Sequence, residues 1–152
     1  MYKLFTSTLL LITQLSFGEP LELYWEDMIP KDYVASDIPL AHSNSMQQQN
    51  LDAPIVPELN GKLVKIPGFV VPLEGDNEKI TEFLLVPYFG ACVHVPPPPP
   101  NQIVYVKFSK DVSINNLYDA VWITGTLSTS TWQGDLATVG YTLQGLNIDV
   151  YD

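Results

Sequence analysis

Five consecutive prolines, Pro96 to Pro100, divide the chain where neither a helix nor a central strand can continue. Each lacks an N–H and has its φ locked, so the run forms a polyproline II rod of roughly 3.1 Å per residue with no internal hydrogen bonds. Pro96 also steers Val95 away from helical backbone. Immediately before the rod lies Gly90-Ala91-Cys92-Val93-His94-Val95, and immediately after it Asn101-Gln102. The single cysteine and one of the two histidines thus sit two residues apart beside a stiff neighbour. In an extended segment alternate side chains share a face, which puts Cys92 and His94 roughly 6.5 to 7 Å apart at Cα, within reach of one ion. Thiolate with imidazole suits zinc, and accommodates copper as Cu(I), far better than calcium or magnesium.

Two donors do not complete a site. Further ligands would come from Glu74, Glu82 or His42, from water, or from a second subunit. A site so sparse fits transient metal holding better than a permanent structural zinc. Each residue also has a plainer reading. A free cysteine is commonly a small buried hydrophobe, Glu74 falls at a turn, and His42 lies in a polar loop. The prolines can serve as an edge-blocking turn or dock on Tyr88 and Phe89.

Residues 1 to 18 carry Lys3, an apolar stretch from Leu9 to Leu15 and small residues around Gly18, the pattern of a secretory signal peptide cut before Glu19. The apolar stretch is too short to span a bilayer and nothing later is longer, so a soluble, periplasmic protein is expected, not embedded in a membrane. Removing Lys3 leaves six lysines, no arginine and seventeen carboxylates, a formal charge of −11. That balance argues against nucleic acid or anionic lipid as partner. Cys92 has no disulfide partner in the chain, although the compartment is oxidising, so burial, a metal, use as a thiol nucleophile or an intermolecular bond must account for the thiol.

Leu21 to Tyr33 has rough helical spacing that ends at Pro30 and reads as a short helix or turn-rich lead-in, with its aromatic residues placed to lid one end of a core. Residues 35 to 58 read as a polar, loosely packed arm, so 19 to 60 form an N-terminal lead-in and 61 to 152 the folded domain. Five strands follow, over Lys62 to Leu73, Ile80 to Phe89, Gln102 to Phe108, Ala120 to Leu127 and Val139 to Tyr151. Pro67-Gly68 predicts a bend in the first, and Asp111 to Tyr118 a short helix between the third and fourth. This order predicts an all-β, five-stranded OB-like barrel, with a β-sandwich as the alternative.

Trp25, Leu63 to Glu74, Phe83 to His94 with its Pro-Pro-Pro-Pro-Pro-Asn-Gln tail, and Val121-Trp122-Ile123-Thr124-Gly125 together resemble the bacterial domain-of-unknown-function 3299 family. The resemblance spans nearly the whole mature chain. It implies an exported protein, since relatives are exported and some are encoded beside transport systems responding to zinc supply. Metal handling is therefore the leading expectation, with zinc or copper on Cys92 and His94, in the service of a membrane transporter or another exported protein.

No Cys-x-x-Cys, Gly-x-Ser-x-Gly, His-Glu-x-x-His or phosphate loop is present, so an enzyme is not expected. The competing expectation is an interaction module binding a protein or small ligand, with Cys92 and His94 structural. Its contacts would be Pro96, Pro97, Pro98, Pro99, Pro100, Asn101, Gln102 and Trp132, the last in a polar hairpin. Tyr105 and Tyr141 are further candidates for stacking, whereas Trp122, between Val121 and Ile123, reads as core.

Overall fold

The run Phe83-Leu84-Leu85-Val86 has no alternation of apolar and polar residues, which requires a strand covered on both faces. The computed structural model, which describes residues 18–34, 46–74 and 79–151, shows how this is met. The described residues form eight strands: β1 (Leu21–Glu22), β2 (Leu63–Pro72), β3 (Ile80–Val86), β4 (Val104–Val112), β5 (Val121–Ser128), β6 (Trp132–Gln133), β7 (Thr138–Val139) and β8 (Tyr141–Val150). The five long ones are those expected, to within a few residues at their ends.

β2 pairs antiparallel with β5 over Leu63 to Gly68 and then with β3 over Phe69 to Pro72. Because one strand serves two partners in turn, the order β2-β3-β4-β8-β5 returns to β2 and the sheet closes. β4 and β8 run parallel and the remaining barrel pairs antiparallel. The result is a closed five-stranded barrel with the OB order of strands, as expected. Gly68 stands where β2 changes partners, as the Pro67-Gly68 pair foretold. A Cβ there would lie 2.7 Å from the Val86 carbonyl oxygen and 3.0 Å from the Leu85 side chain.

Val64, Ile66, Val70, Phe83, Leu85, Val104, Val106, Ile123, Leu127, Tyr141 and Leu143 fill the barrel. The opposite faces of β2 and β3 carry Val71, Leu84 and Val86, which form a second apolar layer with Ile103 just before β4 and with Ala91, Cys92, Ala137 and Val139. Trp132 extends this layer by stacking on Tyr105, with ring centroids 4.4 Å apart and planes 11° from parallel. Two layers explain the uninterrupted apolar run: Phe83 and Leu85 face inward, Leu84 and Val86 outward.

Two expectations, the short helix and the loose arm, are corrected, and the lead-in takes the turn-rich form expected of it. No helix forms between the third and fourth barrel strands. β4 continues to Val112, and the Asn116 side-chain oxygen takes the Tyr118 N–H at 3.0 Å, a local bond that competes with helical backbone pairing. The lead-in is a single 3-10 turn, Trp25–Met28, preceded by β1, which pairs parallel with β2. The described part of the arm, from residue 46, is pinned rather than loose. The Tyr141 hydroxyl, fully buried, accepts from the Val56 N–H at 2.7 Å and donates to the Met28 carbonyl at 2.8 Å. The Gln48 side chain bonds the Pro98 and Thr138 carbonyls and the Thr138 N–H.

Gly68→Ala tests the closure directly. Its methyl group meets backbone as well as the Leu85 side chain, so it should cost about 1–3 kcal/mol of unfolding free energy, as overpacking does. Urea denaturation followed by tryptophan fluorescence measures the loss, and an unchanged midpoint would show that β2 can shift at this point.

Candidate functional site

The segment from Gly90 to Val95 is a tight turn and not an extended strand end. The Gly90 carbonyl accepts from the N–H groups of Val93, His94 and Val95 at 3.3, 2.8 and 3.2 Å, and Ala91 bridges in parallel to Val95. Gly90 has φ +83° and Cys92 φ +66°, so the turn needs left-handed backbone twice, once at a residue that carries a Cβ. Curling leaves the two expected ligands in different surroundings. Cys92 is 8% exposed in the outer apolar layer, while His94 is exposed. The assumption of a shared strand face fails because the turn, and not strand alternation, directs these side chains.

Burial pushes the Cys92 thiol up from its ordinary 9.0 to about 11. A buried neutral thiol is a poor nucleophile, and a metal would have to displace its proton. Among the described residues no three His, Cys, Asp or Glu side chains come together in a way that could hold a metal ion. His42 lies outside the described residues. Glu74 and Glu82 line a separate depression with Trp132, Gly134 and Asp135. Glu82 is already engaged: its carboxylate meets Lys107 Nζ at 2.6 Å, and Lys107 and Tyr105 hold it below the usual range. The Tyr105 hydroxyl is pushed up to about 12 by burial and by Glu82 and Glu74.

The proline run is folded down onto the barrel. Pro97, Pro98 and Pro100 are buried, Pro99 half-buried and Pro96 exposed. The Asn101 side chain, 2% exposed, donates to the Pro54 carbonyl at 2.9 Å, and Gln102 donates to the Trp25 carbonyl at 2.8 Å. Pro100 accepts from Gly140 at 2.7 Å. These residues therefore clamp the arm, the 3-10 turn and β7 to the barrel. Trp132 is half-buried on Tyr105, and Tyr141 is internal. Trp122 is not core as expected. It lies half-buried on the outside of β5, packed with Tyr24 and Tyr151 and with Lys65 Nζ 4.8 Å from its ring centre.

What the turn does create is a cavity of about 250 Å³ beside it. Phe69 and Val71 of β2, Val86 at the end of β3, Phe89, Val93 and His94 of the turn, and Leu117 and Tyr118 of the loop after β4 line it. Phe89 is 50% exposed, Val93 56% and Tyr118 71%, so the pocket opens to solvent between apolar side chains. Apart from His94 in the turn, these lining residues were missed by sequence reasoning. The available signal was Tyr88-Phe89 at a strand end beside a glycine, two large aromatic residues in a turn.

Because the folded chain keeps the Cys92 proton to about pH 11 while an exposed thiol loses it near 9, the unfolded state binds fewer protons between those values. This contribution is present below pH 9 and is lost as pH rises through 11. The two units correspond to about 2–3 kcal/mol. Unfolding measured at pH 8 and pH 11 should show that loss in the wild type relative to Cys92→Ala, in which it is absent. An equal pH response in both would mean that the thiol is not buried in solution.

The family model for DUF3299, described as a protein of unknown function, matches residues 25–150. A crystal structure of a DUF3299 family protein from Pseudomonas aeruginosa PAO1 is similar at 41% identity and a TM-score of 0.76, covering 89% of this chain and 98% of that one. No curated protein sequence matches. With the family model matching all five barrel strands and the Cys-x-His-polyproline-Asn-Gln segment between them, the chain belongs to the DUF3299 family.

Proposed function

We propose that this protein is a non-catalytic binding module of the exported compartment, and that it captures a compact apolar group in the pocket beside the Gly90–Val95 turn. One observation carries the reading. Phe69, Val71, Phe89, Val93, Leu117 and Tyr118 surround an open cavity, and Phe89, Val93 and Tyr118 are half exposed or more, so large apolar side chains cluster at its mouth. A pocket that is mostly apolar with a few polar groups at hand, here the His94 imidazole and the Tyr118 hydroxyl, is the general form of a small-ligand site. The barrel face that carries ligands in OB folds is not available for the purpose. It corresponds to the outer face of β3 and β4, which is filled by the chain's own turn and β6–β7 hairpin.

Metal handling through Cys92 and His94 is the second reading. It is favoured by the strained φ of +66° at Cys92, two residues from His94 in one turn, since strain of this kind is often kept at functional positions. It requires the turn to open and the thiol to ionise. In this reading the protein would hand zinc or copper to a membrane transporter or another exported partner.

The uncharged fluorophore N-phenyl-1-naphthylamine distinguishes the two. Saturable binding that weakens at least tenfold in Val93→Asp, with the far-ultraviolet spectrum unchanged, is the expected result, because a carboxylate on the pocket wall would be desolvated by the ligand. Binding unaffected by Val93→Asp would remove the pocket from the function. Elemental analysis of untagged protein and of Cys92→Ser runs alongside: stoichiometric zinc or copper lost in the variant would replace the first reading by the second.

A further inference from the structure

The loop between β4 and β5 walls two cavities at once, and their contrast defines the kind of partner, an inference that rests on the apolar pocket being the binding site. Leu117 and Tyr118 line the apolar pocket. Their neighbours Asn115, Asn116 and Asp119 line a second cavity, of about 150 Å³, together with Asp149 of β8. Asn115, Asn116, Tyr118 and Asp119 are all exposed, so the loop forms a crest from which both cavities are reached. Adjoining Cα atoms are about 3.8 Å apart. A partner crossing the crest therefore touches both walls within a few residues of its own chain.

The first cavity takes apolar groups. The second presents two carboxylates and two side-chain amides, and the Asp149 carboxylate accepts from the Asn147 amide at 2.9 Å. With a formal charge of −10 on the whole chain, a cation is the guest these carboxylates attract. Size separates a protein from a small molecule. A ligand contained in about 250 Å³ covers the inner walls and leaves the outward sides of Phe89, Val93 and Tyr118 in water. A protein segment laid across the mouth covers them as well, and burying such apolar surface drives docking. In an extended segment, side chains two to four residues apart are separated by roughly 7 to 14 Å, the reach needed to straddle a single loop. We propose that residues 113–120 form the crest of a docking surface for an extended segment of another protein, which seats one large apolar side chain in the pocket and sets a lysine or arginine against Asp119 and Asp149.

Random peptides displayed on phage, selected on the immobilised mature protein and then resynthesised for calorimetric titration, test this. Enriched peptides should share a large apolar residue with a lysine or arginine two to four positions away. Val93→Asp should weaken them at least tenfold and Asp119→Asn, isosteric and exposed, at least threefold. Exchanging the basic residue of the peptide for glutamine should cost at least threefold on the unaltered protein, a readout that no folding defect can imitate. Added salt should weaken the charged peptide more than the glutamine one, because a pair at the rim is screened. Enriched peptides that lack a basic residue, or that ignore Asp119→Asn, would overturn the role of the second cavity and with it the proposal. No enriched peptide, with N-phenyl-1-naphthylamine still held in the pocket, would overturn a protein partner and leave the apolar pocket standing. Loss of both would remove the pocket as well, and retention by phosphatidylcholine vesicles in place of peptide would assign the surface to a membrane instead.

Discussion

One strand, β2, holds the architecture together by pairing with β5 along its first six residues and with β3 along its last four. Closure means that the strands of the barrel leave no free edge there, and it fixes which side chains point inward on all five. The change of partner needs the backbones of β2 and β3 to approach closely, which only a residue without a Cβ permits, hence Gly68. Pro67 tolerates its position because its carbonyl, rather than a missing N–H, carries the tie to Trp25, accepting from the indole at 2.8 Å. The lead-in is thereby fastened at the same point at which the strand bends.

Closure produces an inner core, and the composition of β3 and β4 then demands an outer one. Leu84, Val86 and Ile103 face away from the barrel and must be covered by something from the same chain. The Gly90–Val95 turn supplies Ala91 and Cys92, and the segment between β5 and β8 supplies Trp132, Ala137 and Val139. The prolines and Asn101-Gln102 bring the chain from that turn back into β4 while satisfying buried carbonyls of the arm and lead-in. Asn101, the one buried side-chain amide among the described residues, does this with its amide on Pro54. The pocket arises where the outer layer ends, between the turn and the loop after β4, so its shape depends on the same left-handed residues, Gly90 and Cys92, that seat the turn.

Strand positions were legible because the apolar segments between Gly61 and Tyr151 are separated by turn residues, and the bend was legible because Pro-Gly inside a strand has few other uses. The short helix was misread at Asp111 to Tyr118, where three apolar residues at near-helical spacing look alike in a helix and in a loop that buries only Ile114. Trp122 was misread for a related reason: in a closed barrel its neighbours Val121 and Ile123 point inward and the residue between them must point out. The unusual Cys-x-His-polyproline segment was visible, and it marked the family and the turn beside the pocket, but its side chains could not be oriented from spacing alone.

The sequence by itself determined an all-β barrel, its bend, its acidic surface and the family, because these follow from composition, periodicity and residues with restricted backbone. Only the tertiary structure decided that Cys92 turns inward and His94 outward, that the prolines clamp instead of protruding, and that Phe69, Phe89 and Tyr118 meet around one cavity. The physical reason is that these outcomes depend on left-handed turn geometry and on contacts between residues up to about fifty positions apart, whereas sequence patterns report only on neighbours one or two turns away.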